Sequence, residues 1–383
     1  AMMLALGADA RPLIDQSGHE HAARAATSSA RAGDTCISNA ATLLRLSRRF
    51  HTTPDPVRAA GRVRAYLKQQ SLLYDRIVVL LFWGRKRYTS MLRPYLMREL
   101  AAHGGVVDEI WLCINTRVPT DNSAGHAWAR NVPEVRAYDV TAQRPDGISY
   151  CLNNVIQNQT RTLFIKVDDD IVRMEPHALT HLAAHKLFHP SASFREHGIA
   201  SANVINHGHL AVLHEALGAW APAPRHRYDF HKYCSQPGEH LLANGLRQHS
   251  AYLAHVAAGT TDTYRFGAWD MNSCSCEGQL APRAMNRCIG GRYYRWGINT
   301  IAFGGNLVNG QRLPDNNDEW WVTAGWPQWL DTHSEVAGDA IVVHYAYTRQ
   351  RMASHGTIDT HPLLGNYSAL AHAVTWHKAK RPH

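Results

Sequence analysis

The stretch Thr162 to Met174, TLFIKVDDDIVRM, constrains this chain more than any other. Its apolar opening runs straight into Asp168, Asp169 and Asp170, and then into Ile171-Val172. An apolar run of this length between polar residues predicts a buried strand of a parallel sheet. Three carboxylates at the end of a strand repel one another unless a cation sits among them. Hard oxygen donors suit magnesium, calcium or manganese, and open α/β sheets bind ligands at the carboxyl ends of their strands. A solvated acidic turn or a helix cap is the plain alternative, so the surrounding chain has to decide.

The core opens at Arg76, where the continuous run IVVLLFW predicts a buried first strand. Gly84-Arg85-Lys86-Arg87 follows, then a helical pattern from Tyr88 to His103 closed by Gly104-Gly105. Strand, basic loop and helix in that order begin a nucleotide-binding α/β unit. DEIWLCINTR (108–117) predicts a second strand and Val135 to Val140 a third. Gly147 to Gln159 reads as the helix that feeds the acidic strand. Beyond it come a helix over Pro176 to Leu187, strands at Gly198 to Ile205, Arg265 to Met271 and Tyr294 to Phe303, a helix over Asn317 to Leu330, and a last strand from Ala340 to Tyr347 carrying His344. Residues 218 to 265 read as an irregular insertion fit for an acceptor pocket. This alternation predicts a mixed, mostly parallel sheet flanked by helices. Residues 1–70, with helical patterns at Ser38 to Phe50 and Pro56 to Gln70, read as a stem or wrapping extension. The catalytic unit then spans 71–352, and 353–383 reads as a C-terminal tail.

A chain of 383 residues that is 45% hydrophobic and 19% charged can bury one large core. Its net charge of +9 suits an anionic substrate. The basic residues are dispersed, without the Lys/Arg run that nucleic acid would ask for. No apolar span is long enough to cross a membrane. The opening Ala-Met-Met reads as an added start, which leaves room for a membrane anchor upstream of residue 1. Cys274, Cys276 and Cys288 are close enough to form a local disulfide in an oxidising lumen, and Asn158 and Asn366 open glycosylation sequons.

A basic exit from the first strand, a DxD motif on a mid-sheet strand, an acidic pair opening a late helix and a final strand with His together resemble a GT-A glycosyltransferase. SANVINHGHLAVLHEALGA, YRFGAWDM, NNDEWWVTAGWP and VVHYAYTRQR more closely resemble a little-characterised, largely fungal group of glycosyltransferase-like proteins. The resemblance covers about Arg76 to Met352. It implies a GT-A-like (Rossmann-like) fold and transfer of a sugar from a UDP- or GDP-linked donor to a glycan hydroxyl, with Mn2+ or Mg2+ as cofactor and a Golgi lumen setting.

Residue by residue, the resemblance implies metal ligation by Asp168, Asp170 and His344. Nucleotide-sugar contacts fall to Arg85, Asn115, Asn153, Lys166, Asp168, Asp169, Arg349 and Arg351, the two late arginines because guanidinium forks match phosphate oxygens. For an inverting reaction the base comes from Asp318 or Glu319, with Asp270 as an outside candidate. Two other readings stay open. Asp168, Asp170 and Val172 also satisfy the DxDxV motif of a HAD-type phosphatase, although that motif ends the first strand of its domain and Gly338-Asp339 lacks a second acid. A non-catalytic carbohydrate binder on the same fold is the other.

Overall fold

The computed structural model describes residues 55–69, 73–143, 147–222, 238–271, 296–309, 319 and 321–375. The helical pattern at Ser38 to Phe50, residues Cys274, Cys276 and Cys288, and Asp318 lie outside these.

Helix α1 (Pro56–Leu67) starts at Asp55, whose carboxylate accepts the N–H of Val57 at 3.0 Å, with Pro at the first helical position. It buries Ala59, Ala60, Val63 and Leu67 on one stripe, packed on α4 (Ala178–Phe188). The parallel half of the sheet comes next, as β1 (Arg76–Trp83), β2 (Glu109–Ile114), β3 (Val135–Asp139) and β4 (Thr162–Asp168). Helix α2 (Lys86–Glu99) joins β1 to β2, and α3 (Pro119–Asn131) joins β2 to β3. Gly104, at φ +94°, closes the turn after α2 in the left-handed region. Cys113 on β2 is disulfide-bonded to Cys151, just ahead of β4, with Cα atoms 6.3 Å apart.

Past the acidic run, β5 (Ile171–Met174) turns away, and β6 (Ile199–Ile205), β7 (Trp269–Asp270), β8 (Thr300–Gly304) and β9 (Ser334–His344) complete one nine-stranded sheet. The strand order is β3-β2-β1-β4-β8-β6-β9-β5, with β7 on β9. Strand β8 runs antiparallel between β4 and β6, while β9 runs parallel to β6. The carboxyl ends of β1, β4, β6 and β9 therefore share one edge. Strand β9 carries a bulge where Ala202 pairs with Ala337 but Asn203 with Ile341. Asn203 fills it, donating from Nδ2 to the carbonyls of Tyr264 at 2.8 Å and Gly338 at 2.9 Å. A Cβ at Gly338 would collide with the Phe266 carbonyl.

Two expectations are corrected here. The stretch read as irregular contains α7 (Gly238–Ala258), a 21-residue helix. The stretch read as a tail contains α9 (Pro362–His372), which packs against α2 and β5 and fully buries Tyr367. Two elements are shorter than expected: β7 is two residues and β8 begins at Thr300. Of the expected late helix, Glu319, Trp321–Gly325 and Trp326–Trp329 are helical, and Asn317, Asp318 and Trp320 lie outside the described residues. Two connecting helices, α5 (Ala192–His197) and α6 (Leu210–Ala216), and the short α8 (Thr348–Ala353) after β9, complete the described body. Among the described residues no helix is long and apolar enough to cross a membrane.

Candidate functional site

In the order 3-2-1-4 the chain departs in opposite directions from β1 and β4, which makes their carboxyl ends the topological switch point where such sheets bind ligands. Arg85 leaves β1 there, and Asp168 to Asp170 leave β4. Gly84 permits the approach, since a Cβ on it would stand 2.8 Å from Asp169 Oδ2. Arg85 grips Asp169 with Nε, at 3.0 Å from Oδ2, and with Nη2 on Oδ1; the same Nη2 lies 3.0 Å from Asp170 Oδ2.

Pairing of β5 with β9 sets Ile171 opposite His344, so Asp170 and His344 meet across the strands. The backbone seals this: Tyr345 N–H donates to the Asp170 carbonyl at 2.9 Å. His344 Nε2 lies 3.3 Å from Asp170 Oδ1, and its Nδ1 is buried without a partner among the described residues. Arg351, from α8, reaches Asp170 Oδ2 at 3.4 Å. Its other nitrogen is held by Asp359 at 2.9 Å and Tyr88 at 3.0 Å, and Tyr88 in turn donates to Asp359.

Asp168 has different company. Lys166, itself buried, ion-pairs with it and donates to the Ile298 carbonyl at 2.6 Å. Asn299 Nδ2 donates to its second oxygen at 3.2 Å. Tyr347 leans on this pair, with its hydroxyl 3.4 Å from Asn299 Oδ1 and its ring 4.2 Å from that of His344.

The three acids therefore titrate apart. Burial lifts Asp168 to about 6 in spite of Lys166. Burial also raises Asp169, with Arg85 pulling the other way. Burial acts on Asp170 too, but His344, Arg85 and Arg351 outweigh it and hold its carboxyl well below the usual carboxylate range.

Of the predicted residues, Arg85, Lys166, Asp168, Asp169, Asp170, His344 and Arg351 form one cluster. Asn115 borders it: its backbone N–H donates to the Trp83 carbonyl at 2.9 Å, and its buried Oδ1 has no partner among the described residues. Arg349 is exposed on α8. Asn153 is half-buried in the turn Cys151–Val155 ahead of β4. Glu319 is half-buried, its carbonyl accepting from Thr323 at 2.6 Å. Asp270 is not at this edge. It pairs with Glu335 at the start of β9, roughly 20 Å from His344 by the rise of the neighbouring β6. The neighbours that pattern reading missed are Asn299, Tyr347, Tyr88 and Asp359. Only Asn299, a polar residue at the head of an apolar run, left a local signal.

Both oxygens of Asp168 accept hydrogen bonds, one from Lys166 and one from Asn299. Asp170 Oδ1 and His344 Nε2, 3.3 Å apart, are spaced as two neighbouring ligands at about 2.1 Å from one ion would be. Asp170 Oδ1 makes no hydrogen bond among the described residues. Magnesium-class ions are commonly held by one or two protein ligands plus substrate phosphates and water, so this pair fits such an ion as an open, half-built site. No protein-family model matches this chain, and no curated protein is similar to it in sequence.

Proposed function

We propose that the chain is a metal-dependent glycosyltransferase of GT-A-like fold, transferring a sugar from a UDP- or GDP-linked donor to a glycan hydroxyl. The observation that carries this reading is the meeting of Asp170, His344 and two arginine forks at the carboxyl ends of β1 and β4. A single anion such as acetate would not need two guanidinium groups on separate elements; a diphosphate would.

Asp170 and His344 would hold Mn2+ or Mg2+. When bound, the ion supplies Lewis-acid neutralisation of charge on the departing diphosphate. Arg351, steadied by Asp359 and Tyr88, offers a fixed guanidinium to the same oxygens. Arg85 buttresses Asp169 and Asp170 and is free to turn toward phosphate once the ion shares their charge. Asn115 Oδ1, buried and unpartnered among the described residues, can accept a donor N–H or O–H from base or ribose. Asp168, fixed by Lys166 and Asn299, faces the sugar side. For inversion the base is Asp318 or Glu319, of which we favour Asp318; Asp270 leaves the role because it stands at the opposite edge.

The phosphatase reading requires Asp168 as an attacking nucleophile. The DxDxV motif of such enzymes ends the first strand of its domain, whereas Asp168 ends β4, the fourth strand in chain order. The Cys113–Cys151 bond and the exposed Asn158 and Asn366 sequons support a secretory-lumen setting.

UDP or GDP with Mn2+ is expected to stabilise the fold by about 2.7 kcal/mol at 100 times the dissociation constant, read as a thermal shift. p-Nitrophenyl phosphate should not be turned over. Phosphatase turnover without nucleotide stabilisation would reverse the two readings.

A further inference from the structure

At the opposite edge of the sheet, where β9 begins, one carboxylate faces three imidazoles. His185 Nε2 and His189 Nε2 lie 3.1 Å and 3.2 Å from Glu335 Oε2, and His333 Nε2 lies 2.9 Å from Oε1. The sequence makes this meeting unavoidable. His185 and His189 are four apart at the end of α4, so they share one side. His333 and Glu335 are two apart at the entry of β9, so they share one face. Asp270 stands directly across from Glu335 in register, on that same face.

The rings are held in place from behind. Phe194 is fully buried, with its centroid 4.1 Å from the ring of His189, 5.0 Å from His333 and 5.8 Å from His185. Gly198 seats that phenyl, because a Cβ there would overlap it. Among the described residues every ion-pair partner of Glu335 is a histidine; neither Lys nor Arg reaches it. Glu335 Oε2 and His185 Nε2 are both buried and make no hydrogen bond among the described residues.

One carboxylate ringed by imidazole nitrogens is the mixed N/O donor set that a divalent cation of the zinc class takes. The ligand atoms of His189, His333 and Glu335 all lie within 4.8 Å of one another. A tetrahedral ion with bonds of about 2.1 Å spaces its ligands about 3.4 Å apart, so modest side-chain movement closes the shell. Nitrogen-rich donors select zinc-class ions over magnesium or calcium.

We propose that His189, His333 and Glu335 form a zinc-class site that clamps the end of α4 to the entry of β9. Three protein donors leave the fourth tetrahedral position to water, and His185 approaches from the Glu335 side. Coordination through Nε2 places the ring proton on Nδ1, so His189 exchanges the N–H of Ser191, now 3.2 Å from its Nδ1, for the metal. The site is independent of the oxygen-rich cluster at the other edge and does not rest on the glycosyltransferase reading.

The test is zinc binding to the full chain after chelator dialysis, read by metal per chain and by thermal unfolding. One tightly held equivalent is expected, with a rise in unfolding temperature. Glu335→Gln and His333→Ala should each weaken it by more than the roughly 10–100-fold that loss of an outer-shell partner costs, while Asp170→Asn leaves it unchanged. Substituted Co2+ should show the intense visible absorption of a four-coordinate ion in the unmutated chain, a readout that survives even if the variants fold poorly. No stoichiometric binding, an octahedral cobalt spectrum, or full affinity in both variants would overturn the proposal.

Discussion

Asp170→Asn is expected to cut manganese-dependent donor turnover by roughly 10²–10³ or more, the scale set by removing one group that meets developing charge, while the fold persists. Its cationic neighbours keep other partners: Arg85 retains Asp169, and Arg351 retains Asp359 and Tyr88. Asp168→Asn should behave differently. It leaves the buried Lys166 ammonium with the Ile298 carbonyl and a neutral amide in place of a carboxylate. Breaking such a pair from one side costs about 3–5 kcal/mol, with the lower end apt because Asp168 is partly exposed. Denaturant unfolding beside a turnover assay separates the two. Normal turnover in Asp170→Asn, or equal stability losses in both variants, would contradict the division of labour among the three acids.

A second large effect concerns acid. Burial holds His209 and His249 down to about 4 and His214 to about 3, and lowers His207 well below its ordinary 6.5. The rings of His207, His214 and His249 are each fixed in a hydrogen-bond network. His214 Nε2 lies 2.6 Å from Asn203 Oδ1, His249 bridges Tyr367 and the Tyr345 carbonyl, and His207 spans the Gly297 carbonyl and the N–H groups of His209 and Leu210. Below pH 6.5 the unfolded chain takes up protons that the folded chain refuses. Stability is therefore fully present above 6.5 and lost as pH falls toward 4. By pH 5 each of His209, His214 and His249 removes about 2 kcal/mol, so these three remove on the order of 6, a large part of the stability of an ordinary domain, and His207 acts in the same direction. The raised carboxyl of Asp168 has the opposite sign and offsets only part of this between about 4 and 6. Chemical denaturation at pH 7 and pH 5 should show a steep loss, and equal stability at the two would remove these histidines from the acid response.

The strands β1 and β2 were legible because each carries an unbroken apolar run, as a strand covered on both faces does, while β4 and β6 are mostly apolar runs broken by Lys166 and by Ser201 and Asn203. The start of β9 was not. Ser334 to Asp339 reads as a loop until the bulge at Gly338 and its plug Asn203 are known, and neither leaves a periodic trace. Helix α7 was hidden by its own core face. Leu241, Asn244, Gln248, His249 and Tyr252 are buried at helical spacing, but a buried stripe of Asn, Gln and His does not register as hydrophobic. At the site, adjacency in sequence revealed Asp168, Asp169 and Asp170, and a strand end suggested His344. What adjacency could not reveal is that the three acids go to separate partners. The sorting depends on β8 bringing Asn299 and on the segment after Met352 bringing Asp359, contacts more than a hundred residues distant for Asn299 and Tyr88.

The central claim is donor chemistry at the β1–β4 switch point. It is tested most directly by incubating the chain with a panel of UDP- and GDP-linked sugars, with Mn2+ or with chelator, and measuring released nucleoside diphosphate. The account predicts release from at least one donor, strictly dependent on the metal and lost in Asp170→Asn. Release that continues undiminished in chelator, or no release from any donor together with no stabilisation by either nucleotide, would contradict it.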